Sequence, residues 1–393
     1  MRVAQVHNVK HDVANGIYKT VAGLATHLPS VGIEVEAWHF EPAVSQVTFR
    51  EVRGVTVIDL PARARGRAML MRLPAVTRDF IRQRQAQVDL VHFHSVFIPN
   101  NPWLARSLRL PYVVTPNGGY SQAGLVGSNR LFKSIWMTWQ ERDYLRRASA
   151  VLAVSEAERD DLTRRWPDLT VRYTANAIEL EPAPPAPRPP SNDFVFVGRL
   201  AIDHKGLDRM IRGFARFIDA AGPASPARLL LAGPDWRGSQ AALQAMVAER
   251  RLSDRILLLG PMFGDAKAKL MAGARAFVHT SRWEGLPFAM LEAMTLGTPT
   301  LLTPETNMGD VVARYQAGLV VDGADDGAIA SGFERLARLS DAAHAEMSRA
   351  ARRLVEENYT WPVAIAQVKA AYEEAVARGP SGTTASPLAA AAI

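Results

Sequence analysis

The sequence predicts an α/β protein made of two doubly wound, parallel-sheet domains. Short, nearly continuous apolar segments alternate with helical patterns along most of the chain, as they do in parallel sheets covered by helices on both faces. The chain has 393 residues, and a single hydrophobic core rarely grows past about 250–300 residues. A proline-rich stretch, EPAPPAPRPPSN (181–192), divides the alternation into two series. We therefore expect two domains joined by an extended linker.

The first series is predicted to form an N-terminal domain, residues 1–180. Its predicted strands are RVAQVHNV (2–9), IEVEAWHF (33–40), VDLVHFHSVF (88–97), LPYVVTPNGG (110–119) and the start of ASAVLAVSEAERDDL (148–162). A helix is predicted within residues 14–32, where apolar residues recur at helical spacing. Ser155 is predicted as the N-cap of a further helix, because acidic residues fill the turn that follows it.

The second series is predicted to form a C-terminal domain, residues 193–358. Its predicted strands are DFVFVG (193–198), ARLLLAGP (227–234), RILLLGP (255–261), ARAFVHTS (274–281) and TPTLLTP (298–304), with helices between them. An amphipathic helix is predicted over 360–377. The segment 379–393 is rich in small residues, proline, serine and threonine, and is predicted to be a disordered tail.

The composition indicates where in the cell the protein is expected. The net charge is +7, there is no cysteine, and the sequence pI is about 9.8. The lack of cysteine excludes disulfides and cysteine-based metal sites, and it fits the cytosol. No stretch approaches the roughly 20 apolar residues that cross a bilayer. The N-terminus also lacks the apolar segment of a signal peptide. We therefore expect a cytoplasmic protein.

Two cations follow the first strand of the predicted C-terminal domain. Two such domains are expected to form a cleft, and ligands of doubly wound sheets bind outside the carboxyl ends of the strands. In GRLAIDHKGLDRMI (198–211), Gly198 permits a tight turn, and Arg199 and Lys205 precede a helix N-terminus. This arrangement suits a diphosphate. Gly16, which opens the first helix, is a weaker candidate for the same phosphates, because it belongs to no GxGxxG or P-loop motif.

Two glutamates stand out in SRWEGLPFAMLEAMTLGTP (281–299). Glu284 lies in a predicted strand-to-helix loop, and Glu292 lies eight residues later inside the helix that Pro287 is predicted to begin. A fully helical separation would place them about 12 Å and roughly 80° apart. That geometry does not suit an acid–base pair on one bond, so we expect two separate contacts with one ligand. A buried core helix is the alternative for Glu292.

These elements together resemble a known family. FVGRL, HKGLD and the stretch 281–299 occur in order and at the expected separation. They resemble the donor-binding half of the family 4 retaining glycosyltransferases, which have the GT-B fold of two facing Rossmann-like domains. The first half is similar as well, through Gly16, VDLVHFHS, VVTPNGG and LAVSEAERDDL. The resemblance covers about residues 1–378.

The resemblance implies a retaining transfer of a hexose from a UDP- or GDP-linked sugar to a saccharide acceptor. It implies that Arg199 and Lys205 bind the donor diphosphate and stabilise the leaving nucleoside diphosphate. It places Glu284 beside the donor sugar and Glu292 on the ribose hydroxyls. With no evident nucleophile, it implies attack from the same face, in which the leaving phosphate helps to deprotonate the acceptor.

The resemblance also assigns backbone and N-terminal residues. The backbone of Gly285, Leu286 and Pro287 would lie near sugar hydroxyls and phosphate. Gly16 would face the diphosphate, and His94 would touch the donor sugar. The segment 359–378 resembles the terminal helix of the family, which crosses back onto the N-terminal domain.

One position departs from the pattern of the family. Members often have histidine in a T-P-H-G sequence, where this chain has Asn117 followed by Gly118. Asparagine forms hydrogen bonds but cannot shuttle protons, so the acceptor-side role of these two residues stays open. His92 and His94 share one strand face, but no third metal ligand is evident. No D-x-D motif occurs either, so we expect neither a metal nor a cofactor.

A basic region indicates the acceptor. Residues 50–84 contain nine arginines against three acidic residues, with Met and Leu among them. We predict peripheral contact with the cytoplasmic membrane face and a lipid-linked acceptor, in the assembly of lipopolysaccharide or another surface polysaccharide. A solvated basic loop is the alternative. No nucleic-acid-binding motif is present, so no nucleic-acid partner is expected. A GT-B sugar-nucleotide epimerase or hydrolase and a non-catalytic partner subunit are the alternative functions.

Overall fold

A computed structural model of the protein describes residues 1–8, 15–64, 72–120, 135–180 and 191–380. The chain divides into two compact units. Unit 1 contains Met1–Ala177 together with the chain from Trp361 onward, and unit 2 contains Ile178–Thr360. Most of the predicted linker 181–192 and of the predicted tail 379–393 lies outside the described residues, so both stay predictions.

Unit 1 is built on a mostly parallel sheet. Its strands are β1 (Arg2–His7), β2 (Glu34–Glu41), β3 (Thr48–Val52), β4 (Val55–Pro61), β5 (Leu90–His94), β6 (Tyr112–Thr115), β7 (Ala150–Ala153) and β8 (Val171–Tyr173). Of these, β1, β2, β5, β6 and β7 lie in the predicted apolar segments, whereas β3, β4 and β8 were not predicted. Among the described residues, their order is β3-β4-β2-β1-β5-β6-β7-β8. Neighbouring strands are parallel except for β3 with β4.

The β3–β4 hairpin is an antiparallel addition that the sequence pattern did not predict. Arg53 and Gly54 connect the two strands with positive φ angles of 52° and 77°. This backbone conformation matches the twist of paired antiparallel strands. Most of β3 is exposed, so it lacks the buried alternation that predicts a strand.

Two of the described helices of unit 1 begin at a side-chain cap. The α-helices of its N-terminal part are α1 (Gly16–His27), α2 (Ala75–Arg84), α3 (Asn100–Ala105), α4 (Arg142–Arg146) and α5 (Glu156–Arg165). Asn15 caps α1, and its side chain accepts a hydrogen bond from the Ile17 N–H at 2.9 Å. Ser155 caps α5 as predicted, and accepts from the Glu158 N–H at 3.1 Å.

Unit 2 is built on an all-parallel sheet. Its strands are β9 (Asp193–Val197), β10 (Arg228–Ala232), β11 (Ile256–Gly260), β12 (Ala276–His279), β13 (Thr300–Leu302) and β14 (Gly318–Val320). Within the described part of the chain, their order is β11-β10-β9-β12-β13-β14. The strands β9 to β13 lie in the five predicted segments, whereas β14 is a three-residue strand that was not predicted.

Helices alternate with these strands. They are α6 (Ile202–Lys205), α7 (Leu207–Ala221), α8 (Ser239–Glu249), α9 (Gly264–Ala272), α10 (Phe288–Thr295), α11 (Gly309–Tyr315), α12 (Asp326–Ala337) and α13 (Asp341–Asn358). The rings of Phe194 and Phe214 pack edge-to-face on Phe333 in the buried core, with centroid distances of 4.9 and 5.2 Å. This cluster joins β9, α7 and α12.

The last helix, α14 (Trp361–Arg378), belongs to unit 1. Its buried residues share one core cluster with β1, α1 and the central strands. Trp361 stacks on His27 at 4.6 Å between ring centroids and lies directly against Gly23, where a Cβ atom would come within 1.9 Å of the indole. Across residues 1–8, 15–64, 72–120, 135–180 and 191–380, no helix is both long and apolar enough to cross a membrane.

Each sheet contains a point where the strand order reverses. In unit 1 the chain winds from β1 outward through β2 and β4 on one side, and through β5 to β8 on the other. In unit 2 it winds from β9 through β10 and β11 on one side, and through β12 to β14 on the other. Ligands of doubly wound sheets bind at the carboxyl ends of the two strands that flank this point. The pairs are β1 with β5 and β9 with β12.

Candidate functional site

The loops after β9 and β12 are held together at the reversal point of unit 2. Thr280 Oγ1 donates to the carbonyl oxygen of Gly206 at 3.0 Å, and the Arg282 N–H donates to the carbonyl oxygen of His204 at 2.9 Å. Gly206 has a φ of 61°, and a Cβ atom there would lie 2.0 Å from the Thr280 carbonyl oxygen. Only glycine allows this close approach between the two loops.

The contact between these loops brings Lys205 and Glu284 together. The sequence around either residue did not predict this pairing. Glu284 is 9% exposed, and its Oε1 atom accepts from Lys205 Nζ, from Ser281 Oγ at 2.7 Å and from His279 Nε2 at 3.1 Å. Every side-chain hydrogen bond that the described structure gives this carboxylate falls on Oε1. Glu284 Oε2 is thus the oxygen available to a ligand.

Electrostatics keep this carboxylate ionised. Burial opposes its charge, but the Lys205 ammonium and the His279 hydrogen bond outweigh burial and hold the pKa of Glu284 well below its usual range. Burial lowers the pKa of His279, so its ring is neutral and Nε2 carries the proton that Glu284 accepts. The arrangement is a fixed negative oxygen beside a partly buried cation.

His204 forms the wall beside this pair. Its ring stacks on Trp283 with centroids 4.6 Å apart, and its Nε2 atom donates to the Trp283 carbonyl oxygen at 3.1 Å. Burial lowers the pKa of His204 to about 4, although Glu284 acts in the opposite direction. A neutral imidazole therefore lines the site at physiological pH.

Arg199 lies in the same loop as Lys205 but has a different partner. Its guanidinium carbon lies 4.5 Å from the centroid of the Trp236 ring, in the loop after β10. A cation–π contact of this kind holds the guanidinium plane while leaving its N–H groups for an anion. Next to it, Gly198 comes so close to Gly233 that a Cβ atom on Gly233 would lie 1.7 Å from the Gly198 carbonyl oxygen.

Glu292 lies apart from the Lys205–Glu284 contact and forms its own ion pair. It projects from α10, and its Oε2 atom accepts from Lys267 Nζ of α9 at 2.8 Å. Glu292 and Lys267 are each about one-fifth exposed, so the pair is open to a ligand. The helix begins at Phe288, so Pro287 is its N-cap and not, as predicted, its first residue. Gly285 and Leu286 form the turn before it.

Several residues of this site were not predicted from sequence. Arg209 Nε and Nη2 donate to the carbonyl oxygens of Thr280 and Ser281, both at 2.8 Å. Asn307 Nδ2 donates to the backbone carbonyl of Glu284 at 2.5 Å. The position of His279 and Ser281 at the end of a predicted strand was a usable signal. Arg209 and Asn307 gave none, because their roles depend on tertiary contacts.

In unit 1, His94 ends β5 beside the reversal point. It is fully buried, and its Nε2 atom lies 2.5 Å from Gln5 Oε1. Both ring nitrogens of His92 lie within hydrogen-bond distance of protein groups, the hydroxyls of Tyr372 and Thr115. The described residues hold no group of three His, Cys, Asp or Glu side chains that could bind a metal ion. Gly16 is the first residue of α1, as predicted.

Asn117 and Gly118 lie in the loop after β6. Asn117 has a φ of 54°, a left-handed conformation that asparagine tolerates better than most residues do. The Gly118 N–H donates to Glu158 Oε1 at 2.7 Å, and the Val154 N–H donates to Oε2 at 2.9 Å. Burial raises the pKa of Glu158 to about 7, against the effect of these two N–H donors. A buried titratable group therefore supports this loop.

Two family models match adjoining parts of the chain. The model described as Glycosyl transferases group 1 matches residues 178–354. The model described as Glycosyltransferase Family 4 matches residues 14–181. The boundary between the two matches coincides with the division between units 1 and 2.

Similar proteins and structures agree with these matches. A GDP-mannose:cellobiosyl-diphosphopolyprenol alpha-mannosyltransferase of Xanthomonas campestris is 27% identical over 277 residues, 70% of either chain. A phosphatidyl-myo-inositol mannosyltransferase of Mycobacterium leprae is 23% identical over 96% of this chain and 98% of its own. The structure of sucrose-phosphate synthase from Thermosynechococcus elongatus, 20% identical, matches 96% of this chain and 99% of its own with a TM-score of 0.73. The chain belongs to the family 4, group 1 glycosyltransferases and has their GT-B fold.

Proposed function

We propose that the protein transfers a hexose, with retention, from a nucleoside-diphosphate sugar to a lipid-linked saccharide. The observation that carries this proposal is the contact of Lys205 with the ionised Glu284 at the reversal point of unit 2. A cation and a carboxylate at this position can bind the two ends of a sugar diphosphate, phosphate on one side and hydroxyls on the other. Arg199 supplies the second cation.

The roles follow from where charge develops. As the glycosidic bond breaks, negative charge builds on the leaving diphosphate, and Arg199 and Lys205 stabilise it. Glu284 Oε2 accepts a hydrogen bond from a sugar hydroxyl, while Oε1 is held by Ser281 and His279. In this proposal the two cations neutralise the diphosphate and no metal is required. Attack from the same face, assisted by the leaving phosphate, accounts for retention.

The names of the relatives favour a particular donor and acceptor. The Xanthomonas relative uses GDP-mannose and a cellobiosyl-diphosphopolyprenol, and the Mycobacterium relative is also a mannosyltransferase. We therefore propose GDP-mannose as the donor and a saccharide on a diphosphopolyprenol as the acceptor. Such an acceptor places the protein at the cytoplasmic face of the membrane, in the assembly of a surface polysaccharide.

We propose that a second surface of unit 1, besides the basic region 50–84, contacts the membrane. Of the arginines in residues 50–84, Arg50, Arg82 and Arg84 form ion pairs with carboxylates of the chain. Residues 65–71 lie outside the described residues. Ile135 and Trp139, however, are 58% and 57% exposed. Exposed tryptophan and apolar side chains are typical of surfaces that enter the lipid headgroup region, so we propose this face as the contact.

Nucleotide binding to the purified full chain tests the donor proposal. Thermal midpoints are measured with GDP, UDP, ADP and their common sugars, since a ligand that binds only the folded state raises the midpoint. We expect GDP and GDP-mannose to give the largest shifts and Glu292→Ala to reduce them by weakening the ribose contact.

A matched variant controls for the loss of an ion pair. Glu334→Ala removes a surface carboxylate from its pair with Arg338 on α12 and leaves the candidate site intact. Its nucleotide shifts are expected to equal those of the unmodified protein. If no nucleotide shifts the midpoint, or if both variants lose the shift equally, the donor site is not the one proposed.

A further inference from the structure

A chain of buried polar side chains crosses the core of unit 1 and ends at His94. Thr115 Oγ1 lies 2.6 Å from His92 Nε2, and His92 Nδ1 lies 2.7 Å from the Tyr372 hydroxyl of α14. Gln5 Nε2 donates to that hydroxyl at 2.9 Å, and Gln5 Oε1 faces His94 Nε2 at 2.5 Å. All five residues are almost completely buried. The sequence signalled neither Gln5 nor Tyr372.

The directions of these hydrogen bonds determine where the proton of His94 lies. A carboxamide oxygen only accepts, so the His94 Nε2 atom that faces Gln5 Oε1 must carry hydrogen. In a neutral ring, Nδ1 is then a bare lone pair. His94 Nδ1 is buried and has no hydrogen-bond partner among the described residues.

The hydrogen-bond directions at His92 agree with this assignment. The Tyr372 hydroxyl accepts from Gln5, so its own hydrogen points to His92 Nδ1, and His92 Nε2 donates to Thr115. The rings of His92 and His94 lie 4.0 Å apart, where two charged imidazoles would repel. Burial lowers the pKa of His92 to about 3 and that of His94 well below its usual value. Both rings are neutral and carry hydrogen on Nε2.

The reverse direction is less favourable. Turning the Gln5 amide over would make His94 Nε2 an acceptor and put the hydrogen on Nδ1. A buried N–H group without an acceptor is rarer and costlier than an unused lone pair. The orientation in which the Tyr372 hydroxyl accepts the amide N–H of Gln5 is therefore the one that leaves no N–H group of this chain without an acceptor.

We propose that Tyr372 of the C-terminal helix is a positioning residue, which acts through Gln5 to fix His94 with hydrogen on Nε2 and a free acceptor at Nδ1. Because Nδ1 is buried in the free protein, this acceptor would take a hydrogen bond from a substrate hydroxyl only when substrate binding exposes it, and this last step rests on the proposed function. The tautomer itself does not. Helix α14 thus contributes to the chemistry of His94 through Gln5.

Nitrogen NMR of the full chain labelled with ¹⁵N-histidine reads this tautomer directly, with His94→Gln identifying the signals of His94. We expect a protonated Nε2 and an unprotonated Nδ1 that do not titrate between pH 5.5 and 8. Hydrogen on Nδ1, or a doubly protonated ring in that range, overturns the proposal.

Two variants test the link to α14. Tyr372→Phe keeps the buried ring and removes the hydroxyl, and Gln5→Leu removes the amide while keeping similar volume. In each we expect a mixture of His94 tautomers. Tyr359→Phe, which removes another buried hydroxyl in unit 2, is the control and should leave His94 unchanged. An unchanged tautomer in both test variants would rule out positioning by Tyr372.

Activity separates this proposal from the proposed function. If transfer occurs, Tyr372→Phe should lower kcat roughly 10- to 100-fold, the range known for outer-shell partners of metal-binding histidines, with little change in the KM for the donor. A normal kcat alongside a changed tautomer overturns the catalytic part. Failure of every donor, together with the expected tautomer in the unmodified protein and mixed tautomers in both variants, contradicts the proposed function and supports the positioning.

Discussion

The Glu158 side chain supports the backbone of the loop that contains Asn117 and Gly118. Its two oxygens accept N–H groups from Gly118 and Val154, which lie after adjacent strands. Burial nevertheless raises its pKa to about 7, so the carboxyl group changes charge within the physiological range. The loop is therefore supported by a group whose hydrogen-bonding capacity depends on pH.

We predict that ionisation of Glu158 destabilises the protein as pH rises. The native carboxyl holds its proton up to about pH 7, whereas the unfolded one releases it near a pKa of about 4.3. Between these values the native state binds more protons, so this contribution to stability is full below about pH 4.3 and declines toward pH 8, by about 3 kcal/mol. Urea unfolding from pH 5 to pH 8 measures it.

Glu158→Gln is the reference protein for this measurement. Glutamine resembles the protonated carboxyl and cannot ionise. As pH rises, the unfolding free energy of the Glu158→Gln protein should therefore increase relative to that of the unmodified protein. Titrations elsewhere, such as that of His204, cancel in this difference. A pH-independent difference would contradict the prediction.

At the residue scale, the sequence predicted the members of the unit 2 site better than their contacts. Arg199, Lys205 and Glu284 were selected because they lie in loops that follow strands, and Glu292 because it lies eight residues after Glu284 in the next predicted helix. Which cation meets which carboxylate depends on side-chain direction, which spacing does not encode. Lys205 meets Glu284, and Glu292 meets the unpredicted Lys267.

At the element scale, Gly206 joins α6 to α7 and lets the loop after β12 approach. A Cβ atom at this position would contact both the Thr280 carbonyl oxygen, at 2.0 Å, and Arg209 Nε, at 2.7 Å. Arg209 in turn holds the backbone that leads to Glu284. The geometry of the site therefore depends on position 206 having no side chain.

We predict that Gly206→Ala destabilises unit 2 and separates Lys205 from Glu284. The left-handed backbone alone costs about 1–2 kcal/mol for alanine, and the clash with Thr280 adds to it. Urea unfolding measures the stability, and nucleotide titration measures the site. Gly238→Ala is the control, because Gly238 has a φ of 81° and nothing within 4 Å of a Cβ. Equal losses in both variants would show that the contact with Thr280 is unimportant.

Most strands with a buried apolar pattern were predicted, although β4, which is largely buried, was missed. The exposed or very short strands were missed as well. The hairpin strand β3 is mostly exposed, and β8 and β14 are three-residue strands at sheet edges. Short edge strands bury too little to show a periodic pattern. Their existence depends on neighbouring strands that offer free hydrogen-bonding groups, which is tertiary information.

At the scale of the whole molecule, alternation predicted two doubly wound sheets but not the order of their strands. Both sheets reverse beside their first strand, and this reversal brings residues that are 79 or 89 apart in sequence to one place. Lys205 and Glu284 meet for that reason in unit 2, as Gln5 and His94 do in unit 1. The candidate sites are products of topology as much as of motif.

We predict that unit 1 binds anionic lipid through the face that contains Ile135 and Trp139. Replacing both with serine should reduce sedimentation with vesicles that contain an anionic phospholipid, because the apolar insertion is lost. Binding of the unmodified protein should weaken with salt, as exposed basic residues contribute to it. Vesicle sedimentation at low and high salt measures both effects.

Phe263→Ser provides the comparison for the lipid experiment. Phe263 is 58% exposed, as Ile135 is, but it lies in unit 2. Its replacement should leave vesicle binding unchanged. Equal loss in both proteins, or no binding by the unmodified protein, would show that this face does not contact the membrane.

The placement of α14 has a consequence for how the chain is made. Apolar residues of β1, α1 and the central strands of unit 1 are covered by Trp361, Ile365, Val368 and Tyr372. A ribosome synthesises those covering residues only after all of unit 2, whose chain is continuous from Ile178 to Thr360. Unit 1, although most of it is translated earlier, therefore exposes part of its core until α14, which follows unit 2 in the chain, has been synthesised.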